Sequence, residues 1–324
     1  MDSITQAALG AAVGEGILGR KIGYRGAILG AIIGTLPDLD VMMLPFLNEL
    51  QKVSLHRGYS HSILFCFIGG FFITWGISKI SWLQVIRFRR LFLFSFLTLI
   101  THVLLDSFTT YGTQLFLPFT DNRVSFDSIG IIDPVYTIPL LLGLGLSLFR
   151  YERQHPDRSV PNHFGLVISS LYLMFTLANK QHIQKVFYQN LEKQEITYYR
   201  MLTVPVAAAN SIWYGVVADK THLYLGKYSM WKDNEVEFES FPINDYLLNS
   251  LDSDLVDRLK WFAQDFYTVA EFEGKIRMYN MQCDMQGVRY FGEYKAPTAF
   301  YYEIDPNPDG QYSLTSGMHM ANKK

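Results

Sequence analysis

Apolar residues are distributed unevenly along the 324-residue chain, and this pattern constrains the fold more than any other feature. Long apolar runs fill the part before residue 180, whereas the remainder alternates apolar, aromatic and polar residues. A bilayer core demands about 20 consecutive apolar residues in a helix. With 49% hydrophobic residues the chain is too apolar to be disordered, so we expect a membrane half followed by a soluble half.

Three runs are the strongest candidates for membrane-spanning helices: residues 61–80, 91–110 and 131–149. A fourth run, residues 164–178, is shorter. Two earlier runs, residues 4–19 and 22–36, are short and carry glycines four positions apart, Gly10/Gly14 and Gly26/Gly30/Gly34. This small-xxx-small spacing lets helix backbones approach closely in lipid. These two runs form either a tight helical pair or re-entrant or interfacial segments.

Charge predicts the orientation and excludes one class of partner. Basic residues cluster in the loops around residues 79–90 and 150–158, which the positive-inside rule assigns to the cytoplasm. Alternation then gives six passes, with the N-terminus and everything after Lys180 outside. The net charge of −2 offers no basic surface for phosphates, so we expect no direct binding of nucleic acid.

We therefore predict a mainly α protein: a polytopic helical membrane domain over residues 1–180 and a small soluble extracytoplasmic α+β domain over residues 181–324. Strand-like runs occupy residues 196–206, 211–218, 222–228, 275–281, 288–294 and 299–304. A helix is predicted over residues 252–262, capped by Ser253. The sequence shows no internal repeat. Cys66 and Cys283 lie in dissimilar surroundings and are not expected to pair.

Histidine and aspartate residues recur at the predicted outer ends of the apolar runs. The six residues are Asp38 and Asp40 in TLPDLD, His56 and His61 in HRGYSH, and His102 and Asp106 in THVLLD. A spacing of four places the last two on one helix face. Pro37 is expected to end its helix and turn both aspartates toward one point, and Ser60 to cap the helix that begins near His61.

Imidazoles mixed with carboxylates suit a divalent metal, most of all zinc, with manganese or iron as alternatives. Metal-activated water would then hydrolyse a substrate without a protein nucleophile. Asp38 or Asp40 would bridge metals or act as general base, and Arg57 would stabilise anionic charge on the substrate.

Each motif also has an ordinary structural explanation. The His–Asp pair could be a helix-face hydrogen bond, PDLD a turn with a cap, and HRGYSH a loop beside the membrane. Glu15 is expected to be a packing or snorkelling residue rather than a ligand. Two other functions stay open: a transporter with an intramembrane His/Asp relay, and a non-catalytic regulatory membrane protein that binds a partner.

The motifs MDSITQ, GTLPDLDVM, HRGYSHS, THVLLDSFTTYGTQLFLPF and IIDP together resemble the bacterial LexA-binding, inner-membrane-associated metal-dependent hydrolase family (YdjM-like). That family is more remotely similar to zinc-dependent phospholipase C. The resemblance implies a metal-dependent hydrolase, and the family's name suggests a LexA-like protein as a partner. The convergence of His and Asp at the outer face favours a phosphoester or lipid-linked substrate. The resemblance also implies metal binding by Asp38, Asp40, His56, His61, His102 and Asp106, with Asp2 as a further candidate. Gln6 departs from the family, which has a histidine there.

Overall fold

The computed structural model describes residues 1–232, 235–282, 289–291, 294–306 and 312–318. The chain divides into two compact units, Met1–Met43 with Leu55–Ala178, and Leu44–Ser54 with Asn179–Lys324. The first unit is helical and the second contains the β-sheets. With 53% of the residues helical, the predicted mainly α class is confirmed.

The helices follow the apolar runs of the sequence. They are α1 (Ser3–Ile22), α2 (Arg25–Gly34), α3 (Glu49–Leu55), α4 (Ile63–Ile77), α5 (Phe88–Ser107), α6 (Pro134–Arg150), α7 (Val160–Lys193) and α8 (Ser253–Ala263). A 3-10 segment, Pro37–Phe46, follows α2, as expected from the proline.

Aspartate and serine side chains start several helices by accepting backbone N–H groups of the first turn. Asp133 caps α6 and Ser62 caps α4. The predicted cap Ser60 was wrong, because its hydroxyl points to His61 instead. Asp252 caps α8, so the expected cap Ser253 was also wrong, since it is already the first helical residue.

Two helices among the described residues are long and apolar enough to cross a membrane, Phe88–Ser107 and Val160–Lys193. The number rises to four if the bent pairs Arg25–Gly34 with Pro37–Phe46 and Glu49–His61 with Ile63–Ile77 each form one span. Helix α6 is apolar but shorter. The six passes and the extracytoplasmic C-terminus therefore stay predictions.

Helices α1 and α2 form the close pair that their glycine spacing predicts. A Cβ atom added to Gly10 would lie 2.3 Å from the carbonyl oxygen of Gly30, and one on Gly14 would lie 2.1 Å from that of Gly26. No larger residue fits at such separations, because the two backbones touch. The core beside this pair contains Leu18, and Cys66 is buried in the same cluster. Cys283 lies outside the described residues.

Glu15 is buried in the first unit and forms an ion pair with Arg158, in the turn that precedes α7. The guanidinium donates from Nε to Oε1 at 2.7 Å and from Nη2 to Oε2 at 3.1 Å. Gly19 leaves room for this carboxylate, since a Cβ there would lie 2.2 Å from Oε1. Glu15 is thus a packing residue, as expected, but it is paired inside the unit rather than snorkelling.

The second unit contains two four-stranded antiparallel sheets, with strand orders β1-β2-β3-β4 and β10-β9-β6-β5, and a hairpin β7-β8. The strands are β1 (Arg200–Pro205), β2 (Ile212–Ala218), β3 (His222–Ser229), β4 (Phe238–Pro242), β5 (Tyr267–Phe272), β6 (Lys275–Asn280), β7 (Arg289–Phe291), β8 (Tyr294–Ala296), β9 (Phe300–Pro306) and β10 (Tyr312–Met318). Each sheet follows a helix in the chain: the end of α7 precedes the first sheet and α8 precedes the second.

All six predicted strand runs contain a strand; the sixth, residues 288–294, contains β7 and the first residue of β8 and lies partly outside the described residues. Strands β4, β5 and β10 were missed. Their burial patterns lack a clean alternation of buried and exposed residues, since β4 has one buried residue, β10 has none and β5 begins with three. The side chains of Phe187 in α7 and Trp213 in β2 share one core of this unit.

Candidate metal centre

Four of the predicted residues, each offering one ligand atom, come together in the first unit: Asp38, His61, His102 and Asp106, with all four atoms within 4.8 Å of one another. Nε2 of His61 lies 3.3 Å from Nε2 of His102, 3.3 Å from Oδ2 of Asp106 and 3.4 Å from Oδ1 of Asp38. Nε2 of His102 lies 3.4 Å from Asp38 and 3.6 Å from Asp106.

These separations can be compared with those around a bound ion. A tetrahedral zinc ion with bonds of about 2.0–2.1 Å holds its ligand atoms about 3.3–3.4 Å apart. Five of the six ligand pairs already have separations of 3.3–3.6 Å. The four side chains therefore fit a tetrahedral divalent ion with little movement.

The tautomer of His102 can be inferred from its second ring nitrogen. Nδ1 lies 2.6 Å from the carbonyl oxygen of Gly34, at the end of α2. A carbonyl only accepts hydrogen bonds, so Nδ1 carries the proton and the lone pair of the neutral ring is on Nε2. This second hydrogen bond is the usual companion of a metal-binding histidine, because it fixes the ring and its tautomer.

His61 has a comparable arrangement. Its Nδ1 lies 2.9 Å from the hydroxyl oxygen of Ser60, and that hydroxyl donates to Oδ2 of Asp40 at 3.4 Å. Asp40 Oδ2 also accepts the backbone N–H of Arg57 at 2.9 Å. Asp40 therefore lies behind His61 as an outer carboxylate, outside the group of four.

Asp106 is buried, and its two carboxylate oxygens have different surroundings. Oδ1 accepts hydrogen bonds from Gln6 Nε2 at 2.9 Å and from the amino group of Met1. Oδ2 faces the two histidines and the Nε of Arg57, which lies 3.4 Å away. Within the described residues no hydrogen-bond donor meets Oδ2. A buried carboxylate oxygen left in this state is costly and suits a cation.

His56 and Asp40 form a second pair beside the group of four, with 3.4 Å between Nδ1 and Oδ1. His56 also contacts the ring of Tyr111 edge-on. Asp2 is not brought to the site: it caps α1 by accepting the backbone N–H groups of Ile4 and Thr5. A ligand role for Asp2, Asp40 or His56 stays a prediction.

Arg57 is buried next to the group and has a positive φ of 56°, in a region that favours glycine. Its Nη1 donates to the hydroxyl of Thr109 at 2.8 Å, and its guanidinium lies over the ring of Tyr111. Arg123 stacks on the same ring. Strained backbone of this kind persists where surrounding contacts hold it, as at binding sites.

The sequence analysis missed three residues of the site. Gln6 and Gly34 were considered only for the family comparison and for helix packing, and Tyr111 only as part of a motif. One feature of the sequence could have indicated Gln6: it is a polar residue in α1, four residues before Gly10. Gly34 and Tyr111 contribute a carbonyl and a ring, which no spacing rule predicts.

A helical region with two candidate spans, a buried His/Asp group and a C-terminal β-sheet domain define a membrane protein with a possible metal site. A sequence profile of the YdjM inner membrane protein family matches residues 1–183. The match covers more than half of the chain, and the chain belongs to this family. The expected LexA binding and the similarity to phospholipase C stay predictions.

Two curated relatives are similar to parts of the chain. Inner membrane protein YbcI of Escherichia coli (strain K12) is 34% identical over 122 residues, which cover 37% of this chain and 69% of the relative. The uncharacterized protein YfhP of Bacillus subtilis (strain 168) is 31% identical over 153 residues, covering 45% of this chain and 46% of that protein. The chain thus matches less than half of the length of YfhP. No solved structure matches it.

Proposed function

We propose that the chain is a membrane-bound, metal-dependent hydrolase that cleaves a phosphoester or lipid-linked substrate at the outer face of the membrane. The observation that supports the metal-binding part of this proposal best is the close spacing of the ligand atoms of Asp38, His61, His102 and Asp106. Two imidazoles and two carboxylates without thiolates suit zinc, and also manganese or iron.

The ion would be held by those four side chains, and it would supply a water of lowered pKa and polarise the substrate oxygen. The chain's own groups do the rest. The carbonyl of Gly34 holds the ring of His102 through its Nδ1, and the hydroxyl of Ser60 holds the ring of His61 in the same way. Asp40 orients His61 through Ser60, and Arg57 is the candidate partner for negative charge on the substrate. The net reaction adds water across one P–O ester bond, giving a phosphomonoester and an alcohol.

Metal content tests the first half of this proposal. We expect the detergent-purified protein to contain about one equivalent of metal, and His102→Ala to lose most of it, because one of four ligands is gone. His163→Ala, a histidine of the same unit outside the group, is the matched control. A wild-type protein that contains less than about a tenth of an equivalent of metal and takes up no added metal would contradict the proposal.

Hydrolysis tests the second half. A metal-loaded wild type should cleave bis(p-nitrophenyl) phosphate, and Asp106→Asn should lose both metal and activity. Full metal content without cleavage of any phosphoester would favour a regulatory role, including the proposed binding of a LexA-like partner.

Transport by an intramembrane relay is the second candidate, and one observation favours it. The Glu15–Arg158 pair shows that buried ionisable groups are present in the helical unit outside the metal group. Proton or metal flux into proteoliposomes that stops in both Glu15→Gln and Asp106→Asn would support it. Flux equal to that of empty liposomes would exclude it.

A further inference from the structure

The stretch of chain that carries Asp38 is apolar on its exposed side. Between residues 26 and 48 the only ionisable side chains are those of Asp38 and Asp40. The exposed side chains around them, which we call the apolar strip, are Ile28, Ile32, Leu39, Val41 and Met42. Met42 has 67% of its surface exposed.

The group of four, Asp38, His61, His102 and Asp106, which we call the metal group, is open to its surroundings at this strip. The side chains of His61, His102 and Asp106 are almost completely buried, whereas that of Asp38 is 23% exposed. Asp38 lies in the chain between Ile32 and Leu39, both of them exposed members of the strip. A ligand that reaches the group at Asp38 therefore passes apolar side chains.

The chemistry around the strip indicates which medium covers it. Large exposed apolar patches mark contacts with lipid or with another protein. Helix α4, whose N-terminus follows His61, also carries exposed apolar side chains, among them Leu64, Phe67 and Ile68. The family is one of inner membrane proteins. A strip with this composition, beside a candidate metal ligand in such a protein, is suited to acyl chains.

We propose that the substrate is a membrane amphiphile, whose phosphodiester head reaches the metal ligands while its acyl chain lies on the apolar strip. This inference rests on the proposed metal-dependent function, because it takes the group of four as the site for the head. A water oxygen bonds to phosphorus, the ester P–O bond breaks, and the proton from water goes to the leaving alcohol. No oxidant or reductant is needed.

Binding tests the inference independently of hydrolysis. The full chain in detergent is loaded with Co²⁺, whose visible absorption reports on its ligands. Two probes are titrated: phosphatidylglycerol in mixed micelles, and dimethyl phosphate, which has the same phosphodiester without acyl chains. We expect phosphatidylglycerol to change the spectrum at a concentration at least about tenfold lower than dimethyl phosphate does, because burial of the acyl chains adds to binding of the head.

The variant Leu39→Gln/Met42→Gln removes the apolar side chains beside Asp38. It should raise the half-saturation concentration of phosphatidylglycerol about tenfold. The half-saturation concentration of dimethyl phosphate and the Co²⁺ content should stay unchanged. Leu142→Gln on α6, where the side chain is 62% exposed, is the matched control and should change neither.

Four outcomes overturn the inference. The first is that both probes bind equally, and the second is that neither probe changes the spectrum of the Co²⁺-loaded protein. The double variant can weaken both probes alike, or it can convert a dimeric wild type to a monomer, which would make the strip a protein interface. A protein that binds phosphatidylglycerol as expected but hydrolyses nothing would support amphiphile binding at the strip, and it would contradict the cleavage step and the proposed hydrolase.

Discussion

The side-chain amide of Gln6 decides how Asp106 is held. Its Nε2 donates to Oδ1 of Asp106 at 2.9 Å and to the carbonyl oxygen of His102 at 3.3 Å. A flipped amide would place its oxygen against two acceptors, so the hydrogen bonds fix its orientation. Gln6 stands where the family resemblance implies a histidine ligand, and here it orients Asp106, a candidate ligand, instead.

Replacement of Gln6 should therefore weaken metal binding without removing a ligand. We expect Gln6→Met, which keeps the length but not the donor, to lower metal affinity about tenfold, as loss of an outer hydrogen bond does. Competition with a chromophoric chelator measures this affinity. The control is Asn162→Leu, because Asn162 is a buried amide that donates to Ala12 of α1. Equal losses in both variants would show a general loss of structure.

Asp245 of the second unit provides a pH-dependent contact. Burial alone would raise the pKa of this carboxyl, but hydrogen bonds from Lys260 and Tyr267 outweigh burial and lower it below 3.8. Because the pKa is lower in the folded state, the contact stabilises the protein above the pKa of the unfolded chain. This stabilisation is lost as the pH falls through the lower pKa of the folded state.

We therefore expect Asp245→Asn to be less stable than the wild type at neutral pH, with a smaller further loss in acid. Thermal unfolding of the full chain in detergent, followed by tryptophan fluorescence from pH 7 down to about 3, measures the difference. Asp219→Asn is not suitable as a control, since Asp219 also accepts several hydrogen bonds. Asp254→Asn, in the first turn of α8, is the better one. Parallel pH profiles for Asp245→Asn and the wild type would contradict the expectation.

At the scale of elements, the contact between α1 and α2 connects helix packing to the metal group. The carbonyl oxygen of Gly34, at the end of α2, accepts the hydrogen bond from His102 on α5. A shift of α2 therefore changes the position of a histidine ring. The close approach of α1 and α2 depends on glycines, and this dependence can be tested.

Gly30→Ala should destabilise the protein and weaken metal binding together. A Cβ at Gly30 would lie 2.0 Å from the carbonyl oxygen of Gly10, so the helices must separate. We expect a loss of about 1–3 kcal/mol in the free energy of unfolding, typical of overpacking. The control is Gly145→Ala on α6, where no atom lies within 4 Å of an added Cβ. A Gly30→Ala protein as stable as this control would contradict the packing argument.

At the scale of the whole molecule, the second unit repeats a topology that its sequence does not show. The end of α7 is followed by the antiparallel order β1-β2-β3-β4, and α8 is followed by β5-β6-β9-β10, with the hairpin β7-β8 between β6 and β9. Helix-then-sheet units of this kind are defined by burial and pairing, which different sequences can satisfy. A structural repeat of helix and sheet is therefore present although the sequence shows no repeat.

The side of the membrane on which the second unit lies can be measured directly. The basic loops predict that it is outside the cytoplasm. A phosphatase fused after Lys324 should therefore be active, and a cytoplasmic reporter fused there should be inactive. The opposite result would overturn both the six-pass topology and the outer placement of the metal group. It would also allow the second unit to meet a cytoplasmic LexA-like partner.

Local patterns in the sequence predicted much of this protein. Apolar runs gave the helices, and strand-like alternation gave most of the sheet strands. The spacing of His102 and Asp106 predicted a shared helix face. These features depend on neighbours within a few residues, so a single sequence is enough to determine them.

Only the tertiary structure decided which residues meet. It joined Asp38 and His61 to the pair on α5, placed Asp40 behind His61, and left Asp2 as a cap. It also paired Glu15 with Arg158, 143 positions later. Contacts between distant segments depend on how helices pack, and packing depends on backbone approach at glycines and on buried hydrogen bonds. The glycine spacing of α1 and α2 shows one such approach in the sequence, but no local pattern shows the buried hydrogen bonds between distant segments.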